Sequence, residues 1–234
     1  VLAQRSTAWA DVARRIAHEI KNPLTPIQLS AERIRRRYGK QINQDDREVF
    51  DQCTDTIVRQ VGDIGRMVDE FSSFARMPKP TKAACDLRDI LKDAVFLREM
   101  GNTHVRFEKD LGDAPLDGVF DSRMLGQAFG NLVKNAVEAI EAVPAEAARE
   151  ENRIMVRARE DASGERFVVD IIDNGKGLPT ENRNSILEPY ITMREKGTGL
   201  GLAIVKKIIE EHGGELELHD APEDFDHGRG AMIR

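Results

Sequence analysis

Apolar positions recur every three or four residues over two long stretches at the start of the chain, a period typical of amphipathic helices. The first stretch covers residues 7–37 and the second roughly 44–76, with the Gly- and Asn-containing break YGKQINQDD between them. Two antiparallel helices bury only one face each, so the remaining apolar stripe needs a partner. A second copy that completes a four-helix bundle would satisfy that need, and a coiled-coil spacer is equally compatible with the periodicity.

The pattern changes after the basic, proline-containing segment RMPKPTK, which has no apolar period and indicates a linker. Beyond it, helical periods and short alternating strands follow one another: CDLRDILKDAVFLREM, HVRFEKDL, DSRMLGQAFGNLVKNAVEAIEAV, NRIMVRARED, ERFVVDIID, TGLGLAIVKKIIEEHGG, ELELHD and GAMIR. Elements mixed in this way predict an α+β sandwich, with helices on one face of a mostly antiparallel sheet. We therefore expect a helical domain over residues 1–77, a linker over 78–82 and an α+β domain over 83–234.

Composition and charge narrow the class of protein. The chain is 40% hydrophobic, which is enough to form a core. Its net charge is -6, so a nucleic-acid-binding surface is not favoured. Cys53 and Cys85 match no metal or redox spacing and indicate reduced thiols. No apolar run approaches the ~18 residues that span a bilayer. Because the chain starts at Val1 without a methionine, we expect a fragment whose membrane anchor, if it has one, lies outside it.

The first motif with chemical character is NLVKNAVEAI in the long helix of the α+β domain. Asn131, Asn135 and Glu138 lie at i, i+4 and i+7 and so share one helix face. Amide oxygens are suitable ligands for Mg²⁺, which binds few protein groups and completes its shell with water and phosphate oxygens. A solvated polar face is the alternative interpretation.

The second motif, DIIDNGKGLP, begins as a strand that ends at Asp173. Gly175 and Gly177 follow at once, and glycine lets a ligand approach the backbone closely. A carboxylate at this point can accept hydrogen bonds from an exocyclic amine. An ordinary strand-to-loop turn with Asn-Gly chemistry is the alternative.

The third motif, EKGTGLGLAIVKKI, places Gly197, Gly199 and Gly201 before a helix. The free N–H groups and the positive end of a helix suit phosphate. The motif is neither a Walker A loop, since no Gly-Lys-Ser/Thr follows, nor a Rossmann fingerprint, since no βαβ unit accompanies it. Taken alone it is weak evidence.

The order and spacing of the three motifs closely resemble the ATP-binding domain shared by sensor histidine kinases, Hsp90, gyrase B and MutL. RRIAHEIKNPLTPI resembles the phosphoacceptor box of the histidine kinases alone. The resemblance covers essentially the whole chain and is closest to nitrogen-regulation sensor kinases of the NtrY type. It implies the core of a dimeric, ATP- and Mg²⁺-dependent protein-histidine kinase that passes its phosphoryl group to the receiver domain of a response regulator. It also implies phosphatase activity toward that regulator, and a cytoplasmic fragment of an inner-membrane-anchored sensor.

By this resemblance His18 is the phosphoacceptor, and neutral imidazole is a competent nucleophile at cytosolic pH. Glu19 would accept the other ring N–H and fix the tautomer. Asn22, one helical turn on, would orient water for dephosphorylation of the regulator. Pro23 and Pro26 cannot donate to the carbonyls four residues earlier, so we expect a bend just beyond His18.

In the ATP domain the resemblance assigns Mg²⁺ chiefly to Asn135 with Asn131 close by, and the adenine amine to Asp173, with Gly175 and Gly177 making room for the base. The remaining nucleotide contacts would come from Lys134, Tyr190, Thr192, Arg194, Lys196, Gly197, Thr198, Gly199, Leu200 and Gly201, several of them in a short lid over 187–197. Glu138 is a departure, since many relatives have lysine there. It leaves an alternative open: a dimeric nucleotide-binding interaction module without autokinase activity.

Overall fold

The structure is a computed structural model that describes residues 2–75, 77–147, 149–189, 191 and 198–234, with side chains from residue 15 on. The chain forms two compact units that divide between Pro78 and Lys79. Within the part that is described, no helix is both long and apolar enough to cross a membrane.

The first unit is the predicted helical hairpin. Helix α1 spans Leu2–Tyr38 and helix α2 spans Gln44–Ala75, with one short 3₁₀ turn between them. Ion pairs join Lys21 to Asp69 near one end and Arg35 to Asp55 nearer the other, so the helices are antiparallel. The buried seam contains Ala17, Ala31, Val61 and Val68.

Helix α1 continues through Pro23 and Pro26. A second apolar stripe of the hairpin lies on its surface, with Ile16, Ile20, Ile27, Ile57 and Ile64 all about 40% exposed or more. The expectation that each helix buries only one apolar face within a single chain is therefore confirmed. The stripe is the surface on which a partner would have to pack.

The second unit is an α+β sandwich, as predicted. Its elements in chain order are β1 (Ala83–Asp86), α3 (Leu87–Gly101), β2 (Arg106–Asp110), β3 (Asp117–Phe120), α4 (Ser122–Glu141), β4 (Arg153–Glu160), β5 (Phe167–Asp173), α5 (Gly201–Glu211), β6 (Leu218–Asp220) and β7 (Ala231–Ile233). Strands β1 and β3 pair with each other, and the main sheet has the order β2-β4-β5-β7-β6. Only the β2–β4 pair among the described strands is parallel, so the sheet is mostly antiparallel.

Alternation along the strands separates two layers of core. On the helix face, Ile154, Val156 and Ile171 are almost fully buried on strands that α4 contacts, and α3 and α5 pack in turn against α4. On the opposite face, Ile172 packs with Ala221 and Phe225, which belong to the loop between β6 and β7. We call residues 221–230 the back loop. It covers the sheet directly behind the end of β5.

The start of α4 is fixed by a polar cluster. Asp121 is the N-cap, and its carboxylate accepts hydrogen bonds from the N–H of Met124 (3.0 Å) and of Thr81 (2.8 Å). The N–H of Asp121 itself donates to Nε2 of His212 (3.0 Å), whose Nδ1 lies 2.8 Å from the carbonyl of Ile208. An N-cap of this kind contributes ~1 kcal/mol. The cluster ties the start of α4 to the end of α5.

Candidate functional site

The polar face predicted on α4 is present. Asn131, Asn135 and Glu138 are half-buried on one side of the helix, whose other side supplies buried core residues such as Leu132 and Val133. Lys134 is exposed, and its Nζ lies 3.7 Å from Oε1 of Glu138. The carboxylate at this unusual position therefore has a cation one helical turn before it.

The turn after β5 lies against the C-terminal half of α4. The N–H of Lys176 donates to the carbonyl of Ala139 (3.1 Å). A Cβ added to Gly175 would lie 2.5 Å from the carbonyl carbon of Ala139, far inside contact distance. Only glycine permits this approach, and the approach brings the turn after β5 against the C-terminal end of α4.

Asp173 ends β5 and is buried, with 5% of its surface exposed. Its Oδ1 accepts the N–H of Gly175 (2.9 Å), which holds the carboxylate over the turn. Gly177 has a φ of +79°, a conformation that favours glycine. The structure thus places the turn that follows Asp173 against the C-terminal end of α4, the helix that also carries Asn131 and Asn135.

Two residues that sequence reasoning missed hold this turn in place. Asn174 is fully buried; its Oδ1 accepts the N–H of Arg153 (2.9 Å) and its Nδ2 donates to the carbonyl of Glu151 (2.8 Å). Arg149 donates from Nε to the carbonyl of Asn174 (3.1 Å) and from Nη2 to that of Gly175 (3.5 Å). The Asn-Gly pair gave a signal for a turn, but Arg149 lies in a segment with no period and gave none.

The glycine run ends where α5 begins, at Gly201. Leu200 is fully buried, Gly199 has a φ of +69°, and the hydroxyl of Thr198 accepts the N–H of Leu200 (3.3 Å). Five predicted nucleotide contacts lie outside the described residues: Tyr190, Thr192, Arg194, Lys196 and Gly197.

In the hairpin, His18, Glu19 and Asn22 are exposed within about one turn of α1, whereas the neighbouring Ala17 is buried in the seam. An imidazole in this position is accessible to a second reactant. The structure therefore supplies two sets of candidate residues: an exposed imidazole group on α1, and a polar face with an adjoining turn in the α+β domain.

The donor chemistry of the α4 face fits Mg²⁺. Asn135 and Asn131 offer neutral amide oxygens, which are hard donors, from half-buried positions that leave room for further ligands. A metal that keeps several water and phosphate oxygens needs no more than one or two protein groups. The face is thus suited to a metal that arrives with a phosphate chain.

Comparison with known families gives one matching domain model for the helical hairpin and one for the α+β domain. Residues 8–80 match the model described as His Kinase A (phospho-acceptor) domain. Residues 120–234 match the model described as Histidine kinase-, DNA gyrase B-, and HSP90-like ATPase. The first match includes the exposed imidazole of α1, and the second includes the α4 face and the turn after β5.

The chain is also similar to individual proteins that are described as nitrogen-regulation proteins or sensor kinases. The chain is 62% identical over 234 residues to nitrogen regulation protein NtrY of Azorhizobium caulinodans, covering 100% of this chain and 29% of that protein. It is 33% identical over 215 residues to the sensory histidine kinase/phosphatase NtrB of Rhodobacter capsulatus, covering 90% of this chain and 58% of that protein. The crystal structure of full-length ShkA in complex with AMPPNP superposes with a TM-score of 0.68 at 20% identity, over 95% of this chain and 44% of that one. The chain thus spans about a third of the length of the NtrY-type proteins it matches.

Proposed function

The chain belongs to the sensor histidine kinases, and from that premise we propose that it is an ATP-dependent autokinase core that phosphorylates its own His18. The observation that carries the proposal is the pairing of an accessible imidazole on α1 with a domain in which the turn after a buried carboxylate packs on the end of a helix that carries a face of amides. The phosphoryl group would then pass to an aspartate of a response regulator.

In the proposed complex, Asp173 accepts a hydrogen bond from the exocyclic amine of adenine. Its Oδ1 is already oriented by the N–H of Gly175, so little freedom remains to be lost when the base binds. Gly175 and Gly177 leave the backbone open to the base, and the helix start at Gly201, with Thr198–Leu200 before it, offers N–H groups to the phosphates. The lid residues outside the described part are assigned to the phosphates by resemblance only.

Asn135 and Asn131 would hold Mg²⁺ on the phosphate side of the site. When bound, the metal neutralises charge on the phosphate oxygens. Glu138 lies one turn further along α4, and its ion pair with Lys134 moderates the repulsion it would exert on a triphosphate. Lys134 itself is exposed and can reach toward the phosphates.

Phosphoryl transfer needs mainly alignment and charge neutralisation, because its transition state is loose. A bond forms between an imidazole nitrogen of His18 and the γ-phosphorus, the bond to the bridging oxygen breaks, and ADP leaves. Glu19 would accept the other ring N–H and stabilise the imidazolium that forms. Asn22, exposed one turn beyond His18, would orient the water that dephosphorylates the regulator.

The partners follow from the surfaces of the hairpin. The exposed isoleucine stripe supports a second copy of the chain, giving a four-helix bundle with two copies of His18. The response regulator would dock on the bundle beside His18, because its aspartate must reach the phosphoimidazole. We place the linker at residues 78–82, and assign any membrane anchor to segments outside this chain.

The test is labelling with γ-labelled ATP in the presence of Mg²⁺. The wild type should acquire acid-labile, base-stable label, and His18→Ala should bind ADP with unchanged affinity but acquire none. Equal labelling of His18→Ala would overturn the assignment of His18. A wild type that binds nucleotide and acquires no label would instead be the interaction module.

A further inference from the structure

The guanidinium group of Arg149 contacts the backbone of the turn that follows Asp173. Arg149 is largely buried, with 14% of its side chain exposed, and donates to three backbone carbonyls: Ala147 (2.8 Å), Asn174 (3.1 Å) and Gly175 (3.5 Å). Two of these carbonyls belong to Asn174 and Gly175, the two residues that directly follow Asp173. None of the functions assigned above uses Arg149.

Arg149 is in turn held by the back loop. Oδ2 of Asp226 lies 3.9 Å from Nε of Arg149 and is buried without a hydrogen-bond partner among the described groups. Oδ1 of the same carboxylate accepts from Nη2 of Arg229 (3.3 Å). A buried oxygen of this kind is costly unless a charge faces it, and Arg149 supplies such a charge, with Arg153 and Arg229 acting on the same carboxylate.

The position of Asp226 is fixed by its neighbours in the chain. Phe225 packs on Ile172 of β5, and the guanidinium of Arg153 lies 4.8 Å from the Phe225 ring centroid. Asp226 itself adopts a φ of +49°, which is uncommon for a residue with a side chain. A strained position that packing maintains is an indication of a specific use.

We propose that Arg149, oriented by Asp226, is a positioning residue for recognition of the adenine base. Its two donors fix the orientation of the Asn174 and Gly175 peptides. The peptide between Asn174 and Gly175 carries the N–H that holds Oδ1 of Asp173 (2.9 Å), so Arg149 sets the direction of the carboxylate without touching the nucleotide. The proposal rests on the assignment of Asp173 to the adenine amine.

The geometry requires arginine. A planar fork reaches two neighbouring carbonyls, through Nε and Nη2, while its charge faces Asp226. Lysine has one compact ammonium group and cannot reproduce this fork geometry. Loss of the fork would let the Asn174–Gly175 peptide rotate, and the carboxylate would then lose its orientation. A variant without the fork should therefore lose more of its preference for a base with an exocyclic amine over one with a carbonyl than of its affinity for the phosphates.

The experiment measures affinities of the whole chain for ADP and for GDP by titration calorimetry, with folding checked by circular dichroism. In Arg149→Gln the Kd for ADP should rise about tenfold, the order expected when a charge-assisted hydrogen bond is lost from a buried site, with little change for GDP. Arg149→Lys should recover only part of this loss. Asp226→Asn is a milder change than Arg149→Gln, and it should also lower the preference for ADP over GDP, by a smaller factor.

Two variants separate the possible causes. Arg159→Gln removes an ion pair with Asp170 on the same side of the sheet but away from the turn, and should leave the ratio of ADP to GDP affinity unchanged. Asp173→Ala should abolish the preference for ADP. If Asp173→Ala keeps that preference, the proposed adenine site itself is wrong. If Asp173→Ala loses it while folded Arg149→Gln and Asp226→Asn retain the wild-type ratio, Arg149 has no positioning role.

Discussion

The close approach of the β5 turn to α4 makes Gly175→Ala the sharpest test of how the nucleotide site is built. The added methyl carbon would lie 2.5 Å from the carbonyl carbon of Ala139, 2.7 Å from its oxygen and 2.7 Å from the nitrogen of Ile140. All three atoms belong to the backbone of a packed helix. The helix cannot yield locally, so the turn must move.

The cost can be worked out from these distances. Favourable carbon contacts begin near ~3.5 Å, so the turn must shift by about 1 Å. A shift of that size lengthens the hydrogen bond from Lys176 to Ala139 well beyond its present 3.1 Å. Overpacking costs about 1–3 kcal/mol and a lost hydrogen bond about 0.5–1.5 kcal/mol, so we expect about 2–4 kcal/mol in total. At roughly 2–4 °C per kcal/mol for a domain of this size, the melting temperature should fall by about 5–15 °C.

Scanning calorimetry of the whole chain is the suitable assay. The one tryptophan, Trp9, belongs to the hairpin, so its fluorescence does not report on the α+β domain. Hydrogen exchange followed by mass spectrometry should show faster exchange in β5 and the C-terminal half of α4. ADP binding should weaken in the same variant, because the turn carries Asp173.

The matched control is Gly126→Ala on the same helix. A Cβ there meets only Cγ2 of Ile90 at 3.9 Å, an ordinary contact, so helix propensity should raise stability by about 0.5–1 kcal/mol. If Gly175→Ala melts and binds ADP like the wild type, the turn is not held against α4 as described. A similar loss in both variants would show that crowding at Gly175 is not the cause.

Two further predictions concern polar contacts of the same domain. Burial alone would raise the pKa of Asp170, but hydrogen bonds from Arg234 and Arg159 outweigh that effect and lower the pKa. A lowered folded-state pKa gives stability that is present above the unfolded value near ~4 and is lost as pH falls through the folded pKa. Urea midpoints of Asp170→Asn should therefore depend less on acid pH than those of the wild type, and parallel profiles would contradict the reasoning. His212→Ala leaves the N–H of Asp121 without its acceptor and should cost about 1–3 kcal/mol in urea denaturation, whereas an unchanged midpoint would remove His212 from the cluster that starts α4.

Periodicity was sufficient to predict the larger elements. The hairpin helices and α4 are long enough for their apolar spacing to identify them. Strand β4 alternates along its length, and β5 is an apolar run that one aspartate interrupts before Asp173 ends it. The same spacing predicts which residues share a face of a helix. For this reason Asn131 and Asn135 could be assigned to one face of α4 from the sequence. Asp173 could be placed at a strand end because the apolar run stops there.

Short or non-local features left no such pattern. Strands β1 and β3 have four residues each, too few for alternation to identify a strand, and β1 does not alternate: two exposed positions are followed by two half-buried ones. The parallel pairing of β2 with β4 depends on the sheet as a whole. Arg149 makes its hydrogen bonds to backbone carbonyls, which every residue carries, so no complementary side chain in the sequence marks its partners.

The sheet order has a consequence for synthesis on the ribosome. Of the described strands, β7 is the last in chain order, yet it lies between β5 and β6, with Ala231 opposite Asp173. The backbone partner of Asp173 is therefore synthesised after all the other described strands. A nascent chain can form its hairpin early, but it cannot complete the proposed nucleotide site before residues 231–234 are free.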